Sequence, residues 1–292
     1  MVTSTLLFSA LWTLVKTLSE DYPLIEVTFF RNFFALVPVT VMVASNGRKV
    51  MRTRRFAGHV WRSAVGVAAM LLGFLSYHLL PLANAVAISF AAPLMVTALS
   101  VPFLGEKVGV LRWSAVVVGF VGVLVIVHPS GDMFHPGTLA AFGAAFGSAV
   151  AMVTIRQLNK IDRPVTIVFY FTLLSTVMTG LMLPFSWVTP SAASWGLLLL
   201  MGLTGGVGQY FMTRAFALAP AAVISPFNYA GLLWATILGW MFWGDLPASN
   251  VYIGSAVVIA SGLFILYRET RLKHSGKPTS RLSQADDREK TR

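Results

Sequence analysis

The chain contains no cysteine and very little charge. Charged residues make up 11% of its 292 residues and apolar residues make up 56%, whereas an average soluble domain is about 25% charged. The lack of cysteine excludes disulfides, thiolate metal sites and cysteine nucleophiles. Because so few charges cannot cover a water-soluble surface, the composition predicts an integral membrane protein surrounded by a lipid bilayer.

Several catalytic motifs are also missing. The sequence has no glycine-rich phosphate loop, which excludes an ATP-driven pump within this chain, and it predicts no cofactor and no metal. Ser148 lacks the Gly-x-Ser-x-Gly frame of a nucleophile elbow. His128, Asp132 and His135 fall in one loop and allow a metal or acyl-transfer site, but a turn-rich link explains that segment more simply. An intramembrane enzyme is therefore the minor alternative.

The apolar residues are grouped into long runs. A helix needs about 20 apolar residues to cross a bilayer, and the connections between the runs leave no room for a soluble domain. The sequence predicts an all-α membrane protein of ten transmembrane helices, at roughly 2–18, 24–45, 60–79, 83–104, 112–128, 137–156, 165–184, 193–213, 219–243 and 250–267.

The positive charges lie on one side of this arrangement. The net charge is +11, but the basic residues flank apolar segments instead of forming a soluble face, so nucleic-acid binding is not predicted. Of the 22 basic residues, 20 fall in alternate loops and the tail, Arg62 among them, and the exceptions are Lys16 and Arg31. Since cytoplasmic loops are enriched in lysine and arginine, both termini are predicted to be cytoplasmic.

The chain repeats itself. The stretch from Ala83 to Pro93 returns 136 residues later from Ala219, and Asp21-Tyr-Pro matches Asp162-Arg-Pro. The repeats predict two five-helix halves, 1–130 and 131–270, followed by a disordered cytoplasmic tail at 271–292. Because five is odd, the second half starts on the opposite side of the membrane. An inverted repeat of this kind is typical of alternating-access transporters.

The assembled motifs resemble the drug/metabolite transporter superfamily, EamA type. They are Lys16 ending the first helix, Pro23-x-x-Glu26 with Arg31 in the second, and the two Ala-x-x-x-x-Ser segments closed by glycine and an acid. The resemblance implies a bacterial inner-membrane protein, monomeric or homodimeric. It also implies a central cavity lined mainly by the first, third, fourth, sixth, eighth and ninth helices. Members of the superfamily export amino acids or take up riboflavin, nucleotide-like compounds or S-adenosylmethionine.

Two interrupted helices predict where a substrate binds. Pro93 and Pro226 break helical hydrogen bonding at corresponding places in the two halves, and such breaks indicate a site near the membrane midplane. The polar residues nearby either contact the substrate or donate hydrogen bonds to the backbone carbonyls that the prolines leave free, and the sequence allows both. The predicted substrate-binding residues of these helices and their neighbours are Asn84, Ser89, Gln209, Tyr210, Asn228 and Tyr229.

The remaining candidates are aromatic or charged. Trp12 and Trp234 suit an aromatic ligand, although packing and interface belts use the same residues. Arg31 lies at membrane depth, either facing a substrate carboxylate or paired structurally with Glu20, Asp21 or a helix-end carbonyl. Lys16 can simply snorkel to the interface. Glu26 is the acid nearest the bilayer interior and the one candidate for proton coupling.

These predictions converge on a secondary transporter of a small metabolite. Amino-acid export is the first hypothesis and uptake of riboflavin, nucleotide-like compounds or S-adenosylmethionine is the second. Cavity content discriminates them, because a zwitterionic amino acid needs a cation or amide donors beside a small apolar space. A flavin instead needs a wide aromatic slot with many hydrogen-bond donors. The near-symmetry of an inverted repeat leaves the direction of transport open.

Overall fold

The computed structural model describes residues 1–104, 109–127, 135–218 and 224–275. In these ranges the chain is helical, without β-strands. The α-helices are α1 (Val2–Leu18), α2 (Leu24–Asn46), α3 (Phe56–Leu79), α4 (Leu82–Ser89), α5 (Ala91–Leu104), α6 (Val110–Val127), α7 (Pro136–Leu158), α8 (Pro164–Met182), α9 (Ala192–Leu218), α10 (Ala230–Trp243) and α11 (Ser249–Ser275). Short 3-10 turns occupy Arg48–Met51, Leu183–Phe185 and Ser225–Tyr229.

Helices occupy the described part of each predicted apolar segment. Six stretches are long and apolar enough to cross a bilayer: Leu24–Asn46, Phe56–Leu79, Leu82–Phe103, Pro136–Leu158, Pro164–Phe185 and Ala192–Leu218. Shorter apolar helices lie at Val2–Leu18, Trp113–Val127 and Ser249–Phe264. The chain is therefore a multi-pass, all-helical membrane protein.

The fourth segment is two helices rather than one. α4 ends at Ser89, Phe90 adopts a turn, and α5 starts at Ala91. Pro93 has no N–H to donate to the carbonyl of Ser89, and its ring crowds that carbonyl. Proline is tolerated in a first helical turn, so α5 continues past it. The helix is therefore interrupted at Phe90, about one turn before Pro93.

The second predicted break has a different form. Residues 225–229, which include Pro226, form a 3-10 turn that leads directly into α10. Residues 219–223, the start of this repeat copy, lie outside the described residues. Irregular backbone therefore stands at corresponding places in the two copies, and Phe90 meets Tyr229 edge to face across them at 5.1 Å between ring centres.

The contacts between helices have an exchange pattern, which means that they are repeated when each helix is replaced by its counterpart in the other half. α1 packs on α9, and correspondingly α7 packs on α3. In the same way, α2 packs on α9 and α8 packs on α3. Likewise α1 packs on α10 as α5 packs on α7. The pairs α2–α8 and α6–α11 are unchanged when each helix is replaced by its counterpart in the other half. The core that these contacts bury includes most of α4 and the first turn of α5.

Glycines on α7 and α9 let neighbouring helices approach closely. A Cβ on Gly147 of α7 would lie 2.8 Å from the Cβ of Ala69, and one on Gly143 would lie 2.9 Å from Leu72. On α9, a Cβ on Gly202 would come within 3.0 Å of the backbone of Phe34, and one on Gly206 within 3.0 Å of the carbonyl of Ala35. Small residues permit this approach where lipid surrounds the helices.

Two predictions about charged segments are wrong in part. Arg62 was assigned to a cytoplasmic loop, but α3 begins at Phe56 and buries Arg62 in its second turn, with 2% of its surface exposed. The tail was expected to be disordered from residue 271, but α11 is helical to Ser275. Residues 276–292, the rest of the predicted tail, lie outside the described residues.

Candidate functional site

A cavity of about 240 Å³ opens between the two halves of the chain. α1, α3, α7 and α9 line it together with the break between α4 and α5 and the turn before α10. These are the six membrane segments that the resemblance implies. α2 and α8 each add one side chain, Arg31 and Phe171. The cavity therefore lies where both interrupted segments meet the helices of the opposite half.

The wall of the cavity is largely apolar and includes six aromatic side chains. Trp12 of α1 stacks on Phe8 at 6.3 Å between ring centres and tilts against Tyr77 of α3 at 5.7 Å. The six aromatic side chains that line the cavity are Phe8, Trp12, Phe74, Tyr77, Phe90 and Phe171. Flat apolar faces of this kind accept a flat ligand, since aromatic rings stack in offset or edge-to-face geometry.

The polar atoms of the wall are mostly donors without partners. Gln209 Nε2, Asn228 Nδ2, Arg31 Nε and two nitrogens of Arg62 are buried and make no hydrogen bond within the described part of the chain. Ser89 uses its hydroxyl on the carbonyl of Val86 at 2.6 Å. Buried donors without partners are costly, so these groups favour a ligand, or water, that accepts hydrogen bonds from the wall.

Arg31 faces the cavity without an acidic partner. Its Nη1 donates to Asn32 Oδ1 at 2.8 Å, and Asn32 is itself fixed through the carbonyl of Thr28. No carboxylate of the described residues lies within 4 Å of the guanidinium. The structural partners that the sequence suggested, Glu20 and Asp21, are therefore not its ion pairs.

Arg62 is a wall residue that sequence analysis did not select. Its guanidinium carbon lies 3.3 Å from the centre of the Phe171 ring, and Arg31 approaches the same ring at 5.9 Å. A signal for it was available, because a polar and small-residue stripe runs along α3 at helical spacing. That stripe consists of His59, Arg62, Ser63, Gly66, Ala69, Gly73 and Tyr77.

The predicted binding residues divide into two groups. Trp12, Ser89, Gln209 and Asn228 line the cavity, as do Arg31 and Pro93. Tyr229 is buried beside this wall against Phe90. Asn84, Tyr210 and Trp234 are not part of the lining. Tyr210 packs instead with a small apolar cluster of Val43, Val50 and Val165, and Trp234 has a buried indole N–H without a partner among the described residues.

The two other charged candidates lie outside the lining and hold neighbouring segments. Lys16 Nζ donates to the carbonyl of Leu80 at 2.9 Å and lies 5.3 Å from the Trp243 ring centre, so it joins α1 to the ends of α3 and α10. Glu26 is 1% exposed, and its Oε2 accepts a hydrogen bond from the Val188 amide at 2.8 Å. Glu26 thereby fixes the connection between α8 and α9.

A buried polar cluster joins the two halves away from the cavity. Asp162 Oδ2 accepts from His59 Nε2 at 2.8 Å and from Thr53 Oγ1 at 2.7 Å. The His59 side chain is fully buried and the Asp162 side chain is 6% exposed. The ring of His59 also lies 4.7 Å from that of Tyr170 on α8. Asp162 was noticed in the sequence only as a repeat marker, because a contact over 103 residues leaves no local signal.

The alternative loop site is only partly described. His128 and Asp132 lie outside the described residues. His135 Nδ1 accepts from the Gly137 amide at 3.2 Å, so its ring caps the start of α7.

Comparison with known proteins adds four findings. The model of the EamA-like transporter family matches residues 1–128 and again residues 135–267. The chain is 32% identical over 278 residues to a riboflavin transporter of Rhizobium johnstonii, which covers 93% of this chain and 91% of the relative. It is 27% identical over 246 residues, 84% of each chain, to an S-adenosylmethionine uptake transporter of Rickettsia felis. A solved crystal structure shares the fold, with a TM-score of 0.67 at 18% identity over 92% of this chain and 98% of the other.

Proposed function

The chain belongs to the EamA-like transporter family, and on that basis we propose that it carries a small metabolite across a bacterial inner membrane by alternating access. The exchange pattern of the helix packing supports ten spans in two inverted halves, 1–130 and 131–270. Two such halves interconvert between states open to opposite sides, with the site between them. In this topology both termini are cytoplasmic, as the distribution of arginine and lysine favours.

The aromatic cavity is the observation that carries the substrate assignment. Its wall includes six aromatic side chains and several donors without a partner among the described residues, and these are the properties that a flavin requires. Two relatives in the comparison are named for riboflavin and for S-adenosylmethionine, and each of those ligands contains a planar heterocycle. The first candidate substrate is therefore a heteroaromatic metabolite of the flavin type, in place of an amino acid.

Amino-acid export remains the second candidate, supported by one specific observation. Arg31 lies in the wall together with the amide groups of Gln209 and Asn228, and a guanidinium recognises a substrate carboxylate through charge-assisted hydrogen bonds. An aromatic amino acid would use both the rings and the cation. Transport measurements separate the two candidates.

Counterflow into proteoliposomes tests the function directly. Liposomes containing the purified protein are preloaded with one unlabelled compound, and uptake of the same labelled compound is followed for riboflavin, tryptophan and alanine in parallel. We expect riboflavin to exchange and alanine not to, because alanine leaves the aromatic wall without contact. Exchange of amino acids without riboflavin would establish the second candidate, and exchange of none would contradict both substrate assignments.

Two amide side chains provide a test of the cavity itself. Gln209→Ala and Asn228→Ala each remove one donor that is buried at the wall without a protein partner. We expect each to raise the KM for the transported compound by about fivefold to tenfold, the effect of one lost hydrogen bond, with unchanged folded yield. Thr40→Ala is the control, since Thr40 is exposed and bonds only to its own helix. Unchanged transport in both amide variants would remove the proposed site.

A further inference from the structure

Two buried guanidinium groups line the cavity, and none of the described lining residues is acidic. Arg31 is 3% exposed and Arg62 is 2% exposed, and both lie within 6 Å of the centre of the Phe171 ring. Neither has a carboxylate within 4 Å among the described residues. Buried cations in a membrane protein are normally paired or face a watery cavity, so two unpaired ones on one wall need an explanation.

The backbone holds both side chains against the cavity. A Cβ on Gly66 would come within 3.0 Å of Arg62 Nη1 and 2.8 Å of Phe171, and a Cβ on Gly205 would come within 2.9 Å of Arg31 Nε. Both guanidinium groups therefore pack on the bare backbone of a glycine. This close fit restricts their rotamers, which pre-organises the two charges at one end of the cavity.

Neither Glu26, whose Oε1 has no partner among the described residues, nor Asp162 forms an ion pair with Arg31 or Arg62. Glu26 accepts a hydrogen bond from the Val188 amide, and Asp162 accepts from His59 and Thr53. Arg31 Nε and Arg62 Nε and Nη1 have no acceptor in the described chain. The free polar nitrogens of the wall, including those of Gln209 and Asn228, can only donate. No side chain of the described residues supplies their acceptor, so the wall favours a ligand that brings acceptor oxygens in place of water.

From this geometry we infer that Arg31 and Arg62 form an oxyanion subsite that binds a phosphate or carboxylate group of the transported molecule, with its planar ring placed along the aromatic wall. The guanidinium of Arg62 keeps its N–H edge free while its face lies on Phe171, and that edge matches the paired oxygens of an oxyanion. The inference rests on the proposed transport of a flavin-type metabolite and narrows it to anionic members of that class. Net cationic substrates are disfavoured.

Three flavins that share one ring system test the inference. Riboflavin is neutral, riboflavin phosphate carries a phosphate, and carboxymethylflavin carries a carboxylate. Counterflow gives the KM of each. We expect the preferred anion to have a KM at least about tenfold below that of riboflavin, because charge-assisted hydrogen bonds are about twice as strong as neutral ones. Whichever of the two anions has the lower KM identifies the oxyanion.

Matched variants separate charge recognition from folding. Arg31→Gln and Arg62→Gln are expected to bring the ratio of the anion's KM to that of riboflavin close to one, and Arg62→Lys is expected to keep part of the preference for the anion, since lysine retains the charge without the fork. Arg54→Gln is the control, because Arg54 is an exposed arginine on the approach to α3. Size-exclusion profiles of all variants report whether they fold.

A second measurement stays informative if flavins are not the substrate. The purified protein is heated with inorganic phosphate or acetate against chloride at constant ionic strength, and Tm is recorded. We expect one anion to raise the Tm of the wild type and of Arg54→Gln, but not of Arg31→Gln or Arg62→Gln. An anion effect lost in the two arginine variants supports the subsite even without flavin exchange. The inference is overturned if the wild type shows neither a charge preference nor a Tm shift, or if either effect survives in both variants.

Discussion

Asp162→Ala is expected to lower the free energy of unfolding by about 3 kcal/mol, the lower end of the range for breaking a buried pair. The carboxylate accepts hydrogen bonds from His59 and from Thr53, and its side chain is 6% exposed. Its removal leaves the imidazole of His59 buried without a partner on either nitrogen, because Nδ1 already has none in the described chain. The result should be a Tm several degrees lower and a smaller folded yield.

The repeat supplies a matched control for this substitution. Asp21 occupies the position equivalent to Asp162 in the first half, but its side chain is exposed. Asp21→Ala should therefore change Tm by little, since surface substitutions usually alter stability by about 0.5 kcal/mol or less. Heating followed by fluorescence-detected size exclusion measures both variants. Equal effects of the two substitutions would show that the buried cluster does not stabilise the junction between the halves.

Gly254→Val is expected to be at least as damaging, by about 3 kcal/mol, because overpacking a tight helix contact forces the backbones apart. A Cβ on Gly254 would lie 2.5 Å from the carbonyl oxygen of Gly122 and 2.9 Å from the amide nitrogen of Ile126. Both are backbone atoms, so no rotamer change relieves the overlap. A Cβ on Gly122 would meet the carbonyl of Gly254 at 2.9 Å in return.

This contact joins α6 to α11, a pair held further by hydrogen bonds from Asn250 to the carbonyl of Ile126 and from Ser261 to that of Ala115. Gly196→Val is the control, since Gly196 lies in helix α9 with open space around it and the substitution is the same. The same heating assay measures both. A Gly254→Val protein as stable as Gly196→Val would mean that α6 and α11 do not need glycine at their crossing.

The substrate hypotheses show how far sequence reasoning reached. It selected Trp12, Ser89, Gln209 and Asn228, which line the cavity, because broken helices at repeated positions carry a local signal. It also selected Tyr210, which packs in a separate cluster, because the sequence of the helix does not determine which of its faces is turned toward the cavity. The sequence favoured amino-acid export because the six aromatic side chains that line the cavity come from distant segments and are brought together only by folding.

What the sequence determined by itself is the class of the protein. Scarcity of charge places it in a membrane, runs of apolar residues mark the helices, and repeated motifs indicate two related halves; each of these is a property of residues near one another in the chain. The tertiary structure decided that Arg62 is buried, that it shares Phe171 with Arg31, and that His59 reaches Asp162. These facts depend on which faces of distant helices meet, and helix packing fixes that only when the whole chain has folded.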